Sequence, residues 1–401
     1  MSFLDTIASA FKGGSEARVP LARGFVSPWA QPYASALSPQ ARTPFRYDRE
    51  VRHAFVENPV AQRAVRIVAE GVGSAPLGPM EADLESLVTA TSAGQSLIET
   101  LAAHLLLHGN GYVQVMKDGS GRPIELFALR PERVSVVAGE DGWPAAYTYH
   151  LPGHGSDQAV SIAVEDESGW PNIIHLKAFH PADDHYGAGC LAAAGQAVAI
   201  HNAASEWNRA LLANAARPSG ALVYDAKDAG GLTAEQFDRL KTELAAAYQG
   251  QANAGRPMLL EGGLTWQSMA LSPADMDFAT LKAAAARDIA LAFGVPPMLL
   301  GLPGDNTYAN YREANKALWR LTLLPLAGKI LSGLGEGLTP WFPKARLAVD
   351  LDKVTALSED RERLWTQVSA ADFLTDAEKR RMLGLEEAAD PKSRIEKGAA
   401  A

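Results

Sequence analysis

Apolar positions recur at helical spacing in several separated stretches of the chain. After Asn58-Pro59, residues Val60, Ala64, Ile67 and Val68 fall on one face, and Gly71, Gly73 and Pro76 close the pattern. Leu97, Leu101 and Leu105, extended to His108, predict a second helix over 96–108, which Gly109-Asn110-Gly111 stops. The period then changes to strands. Tyr112, Val113, Val115 and Met116 lead into Asp118-Gly119, a hairpin turn signal. Stretches 124–129, 134–137, 147–151 and 173–176 follow, and together they predict a mixed sheet. The polar stretch 152–171 reads as a loop or insertion.

An alanine-rich helix is predicted over 191–215. Its stripe is Leu191, Ala194, Val198, His201, Ala204, Trp207, Leu211 and Ala215, and Arg217-Pro218 ends it. A small module follows, with a strand over 221–224 and a helix over 233–248. Thr233 and Gln236 would form a capping box on that helix. Strands over 258–260 and 264–269 would make a hairpin around Gly262-Gly263. After Ser272-Pro273 a second long helix runs to residue 293, with Phe278, Leu281, Ala285, Ile289 and Phe293 as its stripe. The chain thus leaves along one long helix, builds a module and returns along another. A Gly/Pro-rich loop, GVPPMLLGLPGDNT, precedes a further helix from 308, in which Pro325 predicts a kink. From 358 the pattern is helical and charged. Residues 1–45, with Pro20, Pro28, Pro32, Pro39 and Pro44 and no sustained period, read as an arm.

Composition narrows the function classes. The 401 residues include 46 acidic and 37 basic side chains, for a net charge of −9, and no stretch forms a basic stripe. A protein that grips DNA by neutralising phosphates would carry one. Cys190 is the only cysteine, so an internal disulfide and a thiolate metal cluster are both excluded. It reads as a small buried hydrophobe. No secretory signal is visible, and no apolar run approaches the roughly 20 residues of a membrane helix. The expectation is a soluble protein made in the cytoplasm.

Candidate chemistry is sparse. His175, His180, Asp183, Asp184 and His185 offer imidazole and carboxylate, but His residues five apart share no face of a helix or strand. Only a loop could gather them. Gly187-x-Gly189 before the long helix meets a loose phosphate-turn pattern, without the apolar strand that should precede it. No GxxxxGK[ST], GxSxG or HExxH element occurs. The expectation is no enzyme and no cofactor.

Five blocks resemble the portal (head–tail connector) family of tailed phages, in its shorter branch. They are HLLLHGNGYVQVMKDGSGRPIELFALRPERVSV at 104–137, ARPSGALVYD at 216–225, GRPMLLEGGLTWQSMALSPADMDF at 255–278, AFGVPPMLLGLPGDNTYANYREANKALWRLTLLPLAGKI at 292–330 and LTDAEKRRMLGL at 374–385. The resemblance covers about 50–390 and suits a prophage or gene-transfer particle as well as a phage.

The resemblance implies an α+β subunit with an arm (1–45), a mixed α/β wing (46–190 and 308–357) and a two-helix stem (191–216 and 273–293). It further implies a strand–helix–hairpin clip (217–272), a tunnel loop (294–307) and a short helical crown (358–401). It implies a homo-oligomeric ring, commonly of twelve, through which double-stranded DNA passes. The expected partners are the large terminase, the head–tail adaptor and the major capsid protein, with no membrane. Leu299, Leu300, Gly301, Leu302, Pro303, Gly304, Asp305 and Asn306 would face DNA in the tunnel loop. Lys282 and Arg287 would face the stem channel. Glu235, Arg239, Glu243 and Gln249 would meet terminase or adaptor on the clip. The alternatives are another multimeric virion or adaptor protein, and a metal-dependent hydrolase built on the three histidines.

Overall fold

The computed structural model describes residues 46–151, 159–213, 220–224, 264–268, 278–303, 307–344 and 346–384, with isolated positions 235, 238, 239 and 242. The arm, the capping box at Thr233 and the strand over 258–260 lie outside the described residues.

Helix α1 (Tyr47–Val51) runs into a π-helical turn, Arg52–Val56. Helix α2 (Pro59–Gly73) starts where the sequence says it should. Asn58 is its N-cap, its Oδ1 accepting from the Val60 and Ala61 N–H groups, and Pro59 takes the first turn, where no N–H is needed. The buried face is Ala61, Ala64, Val65, Val68, Ala69 and Val72, rotated from the expected stripe so that Val60 and Ile67 are only half-buried. Helix α3 (Ala82–Thr89) and a two-residue pair, β1 (Thr91–Ser92) with β2 (Gln95–Ser96), lead to α4 (Leu97–Leu107), capped by Ser96.

The expected mixed sheet is instead two antiparallel three-stranded sheets. In the first, β3 (Asn110–Lys117) lies between β4 (Pro123–Leu129) and β8 (Ile173–Lys177). In the second, β6 (Pro144–His150) lies between β5 (Val134–Ala138) and β7 (Ala159–Ala163). Strand β7 sits in the stretch read as a loop. It is a short edge strand with Val160 exposed and only Ile162 half-buried, so its alternation around Ser161 is too brief to stand out from the polar stretch.

Helix α5 (Cys190–Ala213) and helix α6 (Phe278–Ala292) are the two long helices, packed against each other. Between them in sequence, β9 (Gly220–Tyr224) pairs antiparallel with β10 (Leu264–Ser268). The stretch at 264–269 therefore closes onto the module's first strand. Helix α7 (Tyr308–Leu318), a π-helical turn (Trp319–Leu323) and α8 (Leu324–Leu338) follow without a break. Pro325 cannot donate to the carbonyl a turn back, and the wider π turn stands where its ring would clash. Helices α9 (Ser358–Ser369) and α10 (Asp376–Leu383) end the described chain.

One core joins α2, α4, the first half of α5, the second half of α6, α8 and the inner face of the first sheet. A smaller one, with Tyr112, Leu129, Val134, Tyr147 and Ile173, joins the two sheets. Gly337 on α8 lets that helix lie on β8, since a Cβ there would stand 2.5 Å from Ile174. Between α4 and β3, Gly109 has φ +85° and its Cβ would stand 2.5 Å from the backbone at 187–189. Alanine at 109 is therefore expected to cost about 2–4 kcal/mol of stability. Alanine at Gly119, whose Cβ would meet nothing, is the control that should leave the thermal unfolding midpoint unchanged.

Candidate functional site

The long helices α5 and α6 and the loop after them hold most of the residues singled out in the sequence. Helix α5 buries Leu191, Ala194, Val198, His201 and Ala204, and α6 buries Ala285, Ala286, Ile289 and Ala290, with Phe293 buried just past its end. Alanines on both faces let the two backbones approach closely. Both stripes then run out of core, since Trp207 and Leu281 are each 46% exposed.

Two buried asparagines fix α5. Asn58, which caps α2, donates through Nδ2 to Asn202 Oδ1 (2.8 Å) and to His201 Nδ1 (3.1 Å). Asn202 in turn donates to the His53 carbonyl in the π turn (3.0 Å). The start of α2 is thus tied to the middle of α5, with every polar atom of Asn58's amide satisfied in a buried setting. Burial, then the charge of Lys282, lowers the His201 pKa, which suits an acceptor nitrogen.

Asn110 does the same for the beginning of α5. Its Oδ1 accepts from the Gly187 N–H (2.7 Å) and from His175 Nε2 (3.1 Å), and its Nδ2 donates to the Gly187 carbonyl (3.3 Å). Because Oδ1 only accepts, His175 carries its proton on Nε2, and Tyr147 donates to its Nδ1 (3.3 Å). Burial, with Lys177 nearby, pushes His175 down to about 3, so it is a neutral structural group stacked on Tyr112 at 4.3 Å.

Some of the metal alternative's candidate donors are engaged locally. His180 Nδ1 accepts from the Ala182 N–H, and Asp183 Oδ1 accepts from the His185 and Tyr186 N–H groups in a turn. Among the described residues no three His, Cys, Asp or Glu side chains converge on a common point. Burial pushes the Cys190 thiol up, which makes it a poor nucleophile. Gly187 and Gly189 serve the backbone crossing with Gly109.

The loop after α6 is held at both ends. Gly294 has φ +66°, and Thr322 of the π turn donates to its carbonyl (2.6 Å). A 3-10 turn, Pro297–Leu300, follows, and Leu299 and Leu300 pack against the main core. Gly301 is exposed with φ +72°, Leu302 is half-buried, and the exposed Pro303 accepts at its carbonyl from Arg287 Nη2 (2.8 Å). Arg287 therefore clasps the loop, while Lys282 is half-buried beside α5. Gly304, Asp305 and Asn306 lie outside the described residues. Glu235 and Arg239 are exposed, and Glu243 and Gln249 lie outside the described residues.

The sequence pattern of the family described as phage portal protein fits residues 59–384. The chain belongs to the phage portal protein family.

Solved chains of gene transfer agent particles are similar to this portal chain. A chain of the structure described as the virion of a native gene transfer agent particle is 45% identical, with a TM-score of 0.65 over 90% of this chain and 99% of that one. A chain of the neck of the native particle, computed with C12 symmetry, is 46% identical, with a TM-score of 0.65 over 86% and 95%. An uncharacterized protein of Rickettsia felis is 38% identical over 350 residues, 83% of this chain and 88% of its own length. The resemblance drawn from the residue blocks is borne out, as is a mixed α/β subunit of helices and small sheets. Among the described residues no helix is long and apolar enough to cross a membrane.

Sequence reasoning missed several positioning residues of the portal chain. Thr322, Asn110 and Asn202 act through long-range bonds that no local pattern reveals. Asn58 was visible, since Asn before Pro marks a helix start, but its second role toward α5 was not. The ion pairs of Arg312 and Lys316 with Glu359, and of Arg320 with Asp360, tie α9 to α7 and the π turn; they too join segments far apart in sequence.

Burial, reinforced by His108 and Arg130, also pushes His104 down to about 4. Above the ordinary histidine range both His104 and His175 are neutral whether the chain is folded or not. Below it the unfolded chain takes up protons that the folded one refuses. Stability should therefore fall as pH drops from 6.5 toward 4, by roughly 1.4 kcal/mol per pH unit for each histidine. Urea unfolding at pH 7 and 4.5 would show it, and His104→Gln should remove about half of the slope, leaving the part that His175 contributes.

Proposed function

We propose that this chain is the repeating subunit of a ring at the neck of a phage-like particle, and that double-stranded DNA passes through the ring on entering and leaving the head. The observation that carries this reading is its 46% identity to a chain of a particle neck computed with C12 symmetry. The gene transfer agent relatives favour that kind of particle. The charge balance suits a conduit. With 46 acids against 37 bases, the chain has little to hold phosphates, so DNA can slide past it.

In this reading α5 and α6 are the stem (191–216 and 273–293), and the module between them (217–272) is the clip. The clip meets the large terminase during filling and the head–tail adaptor afterwards, through Glu235, Arg239, Glu243 and Gln249. The sheets and α2–α4 belong to the wing (46–190), which continues through 308–357 and faces the major capsid protein. Helices α9 and α10 start the crown (358–401), and residues 1–45 are an arm. Residues 294–307 are the tunnel loop. Arg287 acts there by holding the loop at Pro303 and not as a free channel charge, and Leu299 and Leu300 anchor it to the core. The loop's approach to DNA then falls to 301–306. The subunit is structural, with no catalytic role.

Light scattering and negative-stain imaging of the purified 42.6 kDa chain should give a closed ring of about half a megadalton. A chain that stays monomeric at high concentration contradicts the reading. Particles built with a chain lacking 299–306 should lose most of their DNA content. Full DNA content would remove the tunnel-loop role.

A further inference from the structure

An open groove of about 1450 Å³ runs along one side of α5. Its floor is the row Ala192, Gly195, Ala199 and Ala203, which spacings of three and four set on one helix face. The three alanines are exposed and Gly195 is half-buried, so small apolar groups face outward for about 17 Å. The walls carry no net charge. Arg49, Arg209 and Lys282 are balanced by Glu50, Glu57 and Glu206, and His53 faces Glu57 at 2.8 Å. An occupant is therefore selected by an apolar face and not by charge. Helix α1 supplies one wall through Arg49 and Glu50, one turn after Arg46, where the described chain begins. Glu50 reaches the floor, since its Oε2 would stand 3.6 Å from a Cβ at Gly195. Residues 1–45 thus join the fold at the rim of this groove.

The sequence of that segment holds one brief stripe. Phe3, Leu4, Ile7, Ala10 and Phe11 would fall within about 120° on a helix, with Ser2, Asp5, Thr6, Ser9 and Lys12 on the opposite side. A helix this short is marginal alone in water and needs a surface to lie on. Residues 2–12 would span about 15 Å, close to the length of the floor. Bulky side chains set on a row of small residues let two helices pack closely. Residues 13–45 reach about 30 Å even as a compact coil, enough to bring the stripe back along a groove that starts beside Arg46.

We propose that the stripe at 3–11 docks in the groove on α5 of its own chain. The tether holds the stripe at high local concentration, so a modest apolar contact suffices. The contact covers a face that the described residues leave bare, and it fastens the arm at both ends. It stands on the groove and on the arm's own sequence, and is independent of the ring reading.

Disulfide trapping in the full-length chain tests this, with Cys190→Ala removing the native thiol. Ile7→Cys/Ala199→Cys should cross-link within one chain on mild oxidation, as a faster monomer band on a non-reducing gel that reductant reverses. Asp5→Cys/Ala199→Cys, on the polar side of the stripe, should give roughly a tenth as much. The band reads the same for a single chain and for a dissolved ring, so this result and the ring reading fail separately. Cross-links between chains from the Ile7 pair would give the groove to the arm of a second copy and overturn the proposal. Equal trapping by both pairs, or by neither, would overturn it too. A second measurement needs no cysteine. Trypsin should cut after Lys12 about ten-fold faster in Leu4→Asp/Ile7→Asp, which spoils the stripe, and in Ala199→Trp, which fills the groove, than in the native chain. Ala199 is exposed, so Ala199→Trp should keep the native unfolding midpoint. An unchanged rate of cutting in either variant would overturn the proposal.

Discussion

Asn110 holds two segments 77 positions apart through both ends of its amide, and the backbones it joins touch. Gly109 and Gly187 can approach only because neither has a Cβ. The start of the first long helix is set at this crossing. On one side it fixes the corner between α4 and β3, and so the first sheet against the main core. On the other it fixes the entry to α5, three residues before Cys190. His175 and Tyr147 continue the same hydrogen-bonded chain into the second sheet. A polar network in a core is stabilising only when each member is satisfied. Here the Nε2 proton of His175 meets Asn110 Oδ1, and burial keeps a second proton off the ring.

Asn58 repeats the device further along α5, through His201 and Asn202. Two fixed points on one helix define its direction, which a single hydrophobic stripe of alanines could not do alone. Alanine faces pack closely but discriminate poorly between neighbouring registers, because one methyl resembles the next. The buried amides supply the missing discrimination. A subunit that must match its neighbours around a closed ring needs its long helices at one angle, and this pair of polar anchors meets that need. The loop after α6 is treated the same way, with Thr322 at its start and Arg287 at its exposed end.

Much of this was legible in the sequence where the cause is local. Asn58-Pro59, Ser96 and Gly109-Asn110-Gly111 mark helix ends through turn chemistry that acts within a few residues. The two long helices were readable from stripes that continue for several turns. What stayed hidden depends on partners distant in sequence. Strand β7 pairs at an edge and buries little, so its alternation rests on Val160 and Ile162 alone. The module's strand at 264–268 finds its partner at 220–224, across the whole module. The rotation of α2's buried face was hidden because alanine reads as neutral, yet Ala61 and Ala69 are buried while the larger Val60 and Ile67 stay at the margin. Of the candidate residues, Arg287 was visible as a cation on α6, but its bond to the Pro303 carbonyl was not. In the histidine cluster, the place of His175 between Asn110 and Tyr112 was hidden for the same reason.

An electron cryo-microscopy reconstruction of the assembled full-length chain tests the central claim most directly. The account predicts a closed ring in which α5 and α6 of every subunit surround the central opening, with residues 301–306 nearest the axis. A ring with both helices on its outer rim, or an assembly with no central opening, would contradict it.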